Sequence, residues 1–147
     1  MTNLTPRILE DVKIPVRLKI SALWIAVMLL FAYGDIFGFF RTGLIEGIIG
    51  GKISGFQINQ VFLVGSSLYI AIPCLMVFLS LVLRPDVNRW ANIVLGLLYT
   101  VTILLFCIGE EWAYYFFLSI LESVLLIVIV WYAWKWPEQE SPMKSVP

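Results

Sequence analysis

The run WAYYFFLSILESVLLIVIVWYAW, residues 112–134, is apolar along its length except for Glu122 near its middle and a few hydroxyls. At about 1.5 Å per residue, a helix over this run reaches across a hydrocarbon layer of about 30 Å, so the run reads as a membrane crossing. An ionised group at the bilayer centre costs at least about 2.5 kcal/mol, which makes Glu122 a functional hypothesis in need of a partner inside a helical bundle.

Composition points the same way. With 61% hydrophobic residues and 14% charged, and a mean hydropathy of +0.93, the chain has too little polar surface to cover a water-soluble body, and lipid must cover the rest. Ten basic and ten acidic residues give a net charge of +0, so nothing marks a strongly basic surface and nucleic acid is not an expected partner. The chain has no histidine and no cluster of acidic ligands, so neither a catalytic metal site nor a Ser/His/Asp triad has its parts, and no cofactor is expected.

Three further crossings are expected over residues 20–40, 56–83 and 91–108, giving an all-α bundle of four transmembrane helices with residues 112–134 as the fourth. The first is read as a retained helix and not a cleaved signal, because no small-residue cleavage pattern follows it and Asp35 and Arg41 come next. Residues 1–19 suggest a short interfacial helix opening at Thr5 and Pro6, and residues 41–55, with Arg41, Glu46 and Lys52 among several glycines, an interfacial loop. Arg84, Pro85, Asp86 and Asn88 read as a tight polar turn, Gly109 to Glu111 as a short hairpin, and residues 137–147 as a disordered tail after a single membrane domain over 20–136. Pro73 is tolerable inside its helix if a neighbour satisfies the carbonyl it frees. Arg7, Lys13, Arg17, Lys19, Arg84, Arg89, Lys135 and Lys144 lie on one side against Arg41 and Lys52 on the other, which by the positive-inside rule puts both termini in the cytoplasm. Trp24, Trp90, Trp112, Trp131, Trp134 and Trp136 mostly sit near expected helix ends, where amphipathic rings favour the headgroup zone.

Counting residues from each boundary sets Glu122 about 15 Å below one membrane edge and Asp35 about 24 Å above the other, an offset of about 9 Å that argues against a carboxyl dyad. The same count places Ser66, Ser67, Tyr69, Tyr99 and Thr100 at the Glu122 level, and Tyr115, Ser119, Glu122 and Ser123 share one helix stripe. A midplane polar layer of Glu122, Ser119, Ser123, Ser67 and Tyr99, with Asp35 above it, is therefore the candidate ligand site. With no cation at that depth, Glu122 is expected as a neutral hydrogen-bond donor, serving either an amine, hydroxyl or cation ligand or the helix packing itself. Asp35 is expected to reach water or pair with Arg41. Asn88 suits a helix N-cap and Arg89 a lipid phosphate, a helix end or Asp86.

Gly34 and Gly38 form a GxxxG spacing expected to pack within the bundle. Gly47, Gly50, Gly51 and Lys52 miss the phosphate-loop spacing, with Ile53 where the magnesium-binding hydroxyl belongs. Cys74 and Cys107 lie about 20 Å apart in depth, too far for a disulfide.

The segments Leu18-Lys19-Ile20-Ser21-Ala22-Leu23-Trp24, Ile72-Pro73-Cys74-Leu75-Met76-Val77-Phe78-Leu79-Ser80, Asn88-Arg89-Trp90-Ala91-Asn92-Ile93 and Trp131-Tyr132-Ala133-Trp134-Lys135-Trp136, together with Asp35, resemble an uncharacterised family of small bacterial four-helix integral membrane proteins. The resemblance runs from about Leu18 to Trp136 and is most specific at Asn88, Arg89 and Asn92. It departs at Ala71, where the pattern often has an acid before the Ile-Pro pair. The resemblance implies architecture and the inner membrane of a bacterium; it is similar to DoxX-like proteins in topology only and implies no activity.

Two functional classes follow. One is a binder or carrier of a small lipophilic or amphiphilic molecule at the Glu122 layer, and the other an accessory or structural subunit of a membrane complex. An isomerase-type enzyme using Asp35 and Glu122 is the least favoured, given their offset and the missing histidine.

Overall fold

The computed structural model describes residues 12–137, and these contain four helices long and apolar enough to cross a membrane. They are α1 (Val16–Gly38), α3 (Gln60–Val82), α4 (Pro85–Phe106) and α5 (Ala113–Trp134); between the first two lie a short α2 (Leu44–Ile49) and a two-stranded hairpin, β1 (Lys52–Ile53) with β2 (Phe56–Gln57). The expected interfacial helix opening at Thr5 and the tail beyond 137 fall outside the described residues. The four long helices place the start of α1, the end of α5 and the 83–84 link at one end of the bundle, here the terminal end. The segment from 39 to 59 and the link from 107 to 112 lie at the other, the loop end.

The helix boundaries follow from local chemistry. α3 starts later than the hydropathy suggests because Asn59, in an extended conformation, caps it by accepting a hydrogen bond from the Phe62 amide at 2.9 Å. The residues before it are taken by the hairpin, whose two-residue turn has Ser54 and Gly55 both at positive φ, 47° and 83°. That geometry matches the twist of paired strands, and Gly55 adopts it without a Cβ penalty. α4 starts earlier than expected. Pro85 holds the first helical position, where a missing amide costs nothing, and Asp86 lies in the first turn beside the positive helix end, so the expected turn over 84–88 is helix from Pro85 onward.

In the bundle, α5 packs against α4 and α1, and α1 against α3, while the backbones of α3 and α4 approach each other less. α4 and α5 come close at Gly96, where an added Cβ would lie 2.6 Å from Val130 Cγ2 and 3.4 Å from the Leu126 carbonyl oxygen of α5. Gly34 and Gly38 face Leu118 and Tyr114 of α5, inside the bundle. Large apolar side chains are exposed along every long helix, as a lipid-facing surface requires. The buried core, including Ile20, Trp24, Val27, Met76, Ile93 and Ile129, is concentrated toward the terminal end, and the stretch 60–68 of α3 contributes no buried residue. The bundle is tight at the terminal end and open toward the loop end. Cys74 and Cys107 are both free.

Candidate functional site

Two polar systems lie inside the bundle, and they differ in how completely their groups are satisfied. The first is a chain of side chains near the terminal end. Trp24 Nε1 donates to Asn92 Oδ1 at 2.7 Å, and Asn92 Nδ2 donates to the Asn88 carbonyl at 2.8 Å and to Asn88 Oδ1 at 2.7 Å. Asn88 Nδ2 donates in turn to the Ser80 carbonyl at 2.6 Å. Ser80 O belongs to the last turn of α3, whose carbonyls have no helical donor, and Arg17 Nη1 serves the neighbouring Leu81 carbonyl at 2.8 Å.

Asn88 is thus not the N-cap of α4, which begins three residues earlier; it is fully buried and closes the end of α3. Trp24 is fully buried rather than interfacial, because its indole N–H has a partner inside. Arg89 lies at a helix end: its Nη2 donates to the carbonyl of Trp134, the last residue of α5, at 3.2 Å, and its guanidinium lies 6.0 Å from the Trp134 ring. The buried pairing of Trp24 with Asn92 has no direct mark in the sequence beyond two asparagines four apart, on one face of an apolar helix.

The Tyr99 hydroxyl donates to the Tyr69 carbonyl at 2.5 Å. Pro73 has no amide to offer that carbonyl, four residues before it, so Tyr99 is the neighbour that a proline inside a membrane helix requires. The Tyr69 hydroxyl meets Thr102 Oγ1 at 2.8 Å, and the Tyr69 and Tyr99 rings lie 4.7 Å apart. These side chains bridge α3 and α4 where the two backbones stand apart.

The second system surrounds Glu122. Ser119, Glu122 and Ser123 face inward from α5 with relative exposures of 4%, 7% and 9%, so the acid is turned away from lipid. Among the described residues no hydrogen bond reaches the Glu122 carboxyl, and the buried Ser123 Oγ has no partner. The carboxyl lies within electrostatic range of Asp35 on α1, Tyr69 on α3 and Tyr115 on α5.

The hydroxyls expected to satisfy Glu122 are engaged elsewhere. Tyr99 is held by Tyr69, and Ser67 is exposed and donates to the Leu63 carbonyl of its own helix at 2.8 Å. The expected layer therefore divides, with Ser119, Glu122 and Ser123 inside and Ser67 outside. Asp35 is exposed near the loop end of α1, on the helix that packs against α5.

Arg41 does not pair with Asp35. It forms an ion pair with Glu110 and sits among three rings, 5.3 Å from Trp112, 5.6 Å from Tyr114 and 5.8 Å from Tyr115. The same Glu110 oxygen accepts the amides of Glu111 at 2.9 Å and Trp112 at 3.1 Å. Burial opposes the Glu110 charge, but those two amides and the guanidinium together hold its carboxyl below the usual value. Among the described residues, no group of three or more Cys, Asp or Glu is placed to hold a metal ion.

No curated protein and no solved structure matches the chain. A family model described as a family of unknown function, DUF6326, matches residues 11–142, which takes in all four long helices and both polar systems. By that match the chain, a multi-pass membrane protein by its four apolar helices, belongs to the DUF6326 family.

Proposed function

We propose that the protein binds a small lipophilic amine or organic cation at Glu122, entering from the looser loop-end half of the bundle. The observation that carries this reading is a buried serine hydroxyl without a partner, Ser123 Oγ, next to Glu122, an acid on a buried position to which no hydrogen bond is made among the described residues. Buried polar groups are paired in the great majority of cases, and an unpaired one calls for an explanation, of which a ligand is the most economical. The surroundings favour a cation over an anion: Asp35 adds a second acid, the phenols of Tyr69 and Tyr115 are neutral, and α5 carries no cationic side chain. The basic residues at the terminal end support a cytoplasmic location for both termini, and the resemblance supports a bacterial inner membrane.

Decylamine and decanol separate the amine from the hydroxyl ligand. Titrated into the full chain in detergent micelles, decylamine is expected to bind more tightly than decanol. Glu122→Gln should weaken the amine about 10- to 100-fold, the range of one charge-assisted hydrogen bond, and leave decanol nearly unchanged. Equal binding of the two probes, or an unchanged amine affinity in Glu122→Gln, contradicts the proposal.

A second reading, an accessory subunit of a membrane complex, is favoured by the stretch 60–68 of α3, which has no buried residue and exposes Ser66 and Ser67. Cross-linking of Ser66→Cys to a second polypeptide in native membranes would support it.

A further inference from the structure

The loop end carries a hollow of about 540 Å³, between the hairpin and the α4–α5 link, that does not include Glu122 and shares only Tyr115 with its surroundings. Three kinds of group line it. Arg41, Glu110 and Glu111 supply charge, Phe56 and Trp112 supply aromatic faces, and Leu105, Phe106 and Ile108, all exposed, supply apolar surface at the end of α4. Because α4 has 22 residues, at about 1.5 Å each it is as long as the hydrocarbon layer is thick, so its last turn and the hollow beside it lie at headgroup level.

The charges are not balanced. Arg41 and Glu110 neutralise one another, while Glu111 is exposed and has no ion-pair partner among the described residues. A guanidinium has five N–H donors, and Glu110 takes one of those on Arg41, leaving others for a second acceptor. An occupant that fits therefore brings an anionic oxygen for Arg41, a cationic N–H donor for Glu111, and a chain for the apolar end of α4.

We infer that this hollow is a binding site for a phospholipid with a primary-amine headgroup, drawn from the leaflet at the loop end, its phosphate on Arg41 and its ammonium on Glu111. The aromatic walls suit the same ammonium. A phospholipid without the amine leaves Glu111 unmatched, and a quaternary ammonium has no hydrogen to donate to it.

The test is native mass spectrometry of the full chain released from nanodiscs holding equal parts of phosphatidylethanolamine, phosphatidylglycerol and phosphatidylcholine. Phosphatidylethanolamine is expected to be retained about tenfold over each of the others, the ratio that one charge-assisted hydrogen bond gives. Glu111→Gln, which changes an exposed side chain, should remove that preference while the protein stays folded. Phe56→Ala should lower retention of all three lipids, and Glu122→Gln should alter none, which keeps failure here distinct from failure at Glu122. Equal retention of the three lipids, or a preference that survives Glu111→Gln, overturns the inference. So does a dimer that forms in place of lipid adducts and is lost in Phe56→Ala, which would give the hollow to a second copy of the chain.

Discussion

At the scale of single residues, most buried polar side-chain atoms can be followed to a partner, and among the described residues Arg41 Nε, Arg89 Nε and Ser123 Oγ are the exceptions. Pro73 and Tyr99 make a dependent pair: the proline frees the Tyr69 carbonyl and the phenol satisfies it at 2.5 Å. Tyr99→Phe should lower stability by about 1–3 kcal/mol, the cost of leaving a buried acceptor unmet. With Pro73→Ala in the background, the restored amide reaches the same carbonyl, and the loss from Tyr99→Phe should shrink. A double-mutant cycle by thermal unfolding in detergent reads the coupling, and additive losses would show that the two residues act independently. Glu110 has a pH dependence with a definite sign. Its carboxyl titrates below the ordinary value of about 4.3 once folded, so the stabilisation it gives is complete above that value and is lost as pH falls through the lower folded one. The protection of the Glu111 and Trp112 amides, both bonded to Glu110, measured as hydrogen exchange relative to the intrinsic rate at each pH, should fall on acidification in the wild type. In Glu110→Gln that fall in protection should be absent.

At the scale of elements, the crossing of α4 with α5 depends on Gly96. Gly96→Leu drives a side chain into Val130 and the Leu126 carbonyl and should lower thermal stability by at least about 1–3 kcal/mol, the usual cost of overpacking. Gly65→Ala on α3, where nothing lies within 4 Å, is the control and should change little. Helix number and kind were legible in the sequence because about 20 apolar residues in a row admit few other structures. The boundaries were less so. Hydropathy does not see caps, and the start of α4 at Pro85 and of α3 after Asn59 are set by backbone chemistry, not by apolar character. The Glu122 stripe was visible because residues three or four apart share a helix face. Ser67 was misplaced because depth says nothing about which way a helix is turned. The exchange of partners that gives Arg41 to Glu110 depends on two loops distant in sequence and meeting in space. No local pattern announces it.

At the scale of the whole molecule, polar satisfaction is uneven in the same sense as the packing. The terminal end is dense, with Trp24, Asn92, Asn88 and Ser80 joined in one chain, whereas the loop-end half of α3 stands clear of the core. A membrane protein with one rigid end and one loose end admits a ligand from the loose end without unfolding. The excess of basic residues at the rigid end predicts its side. In a background with Cys107→Ser, Ser54→Cys at the hairpin tip should react with a membrane-impermeant maleimide in intact cells, and Arg84→Cys only after lysis. The opposite pattern would invert the orientation and leave the bundle as it stands.

The central claim is that Glu122 is an inward carboxyl left free for a cationic ligand. The most direct measurement is the reaction of the full chain in membranes with N,N′-dicyclohexylcarbodiimide, an apolar reagent for carboxyl groups, with the modified residue mapped by peptide mass spectrometry. Modification is predicted at Glu122, suppressed when decylamine is present and unaffected by decanol. Modification that decylamine does not slow, or an unreactive Glu122 in a chain whose exposed carboxyls react, would contradict it.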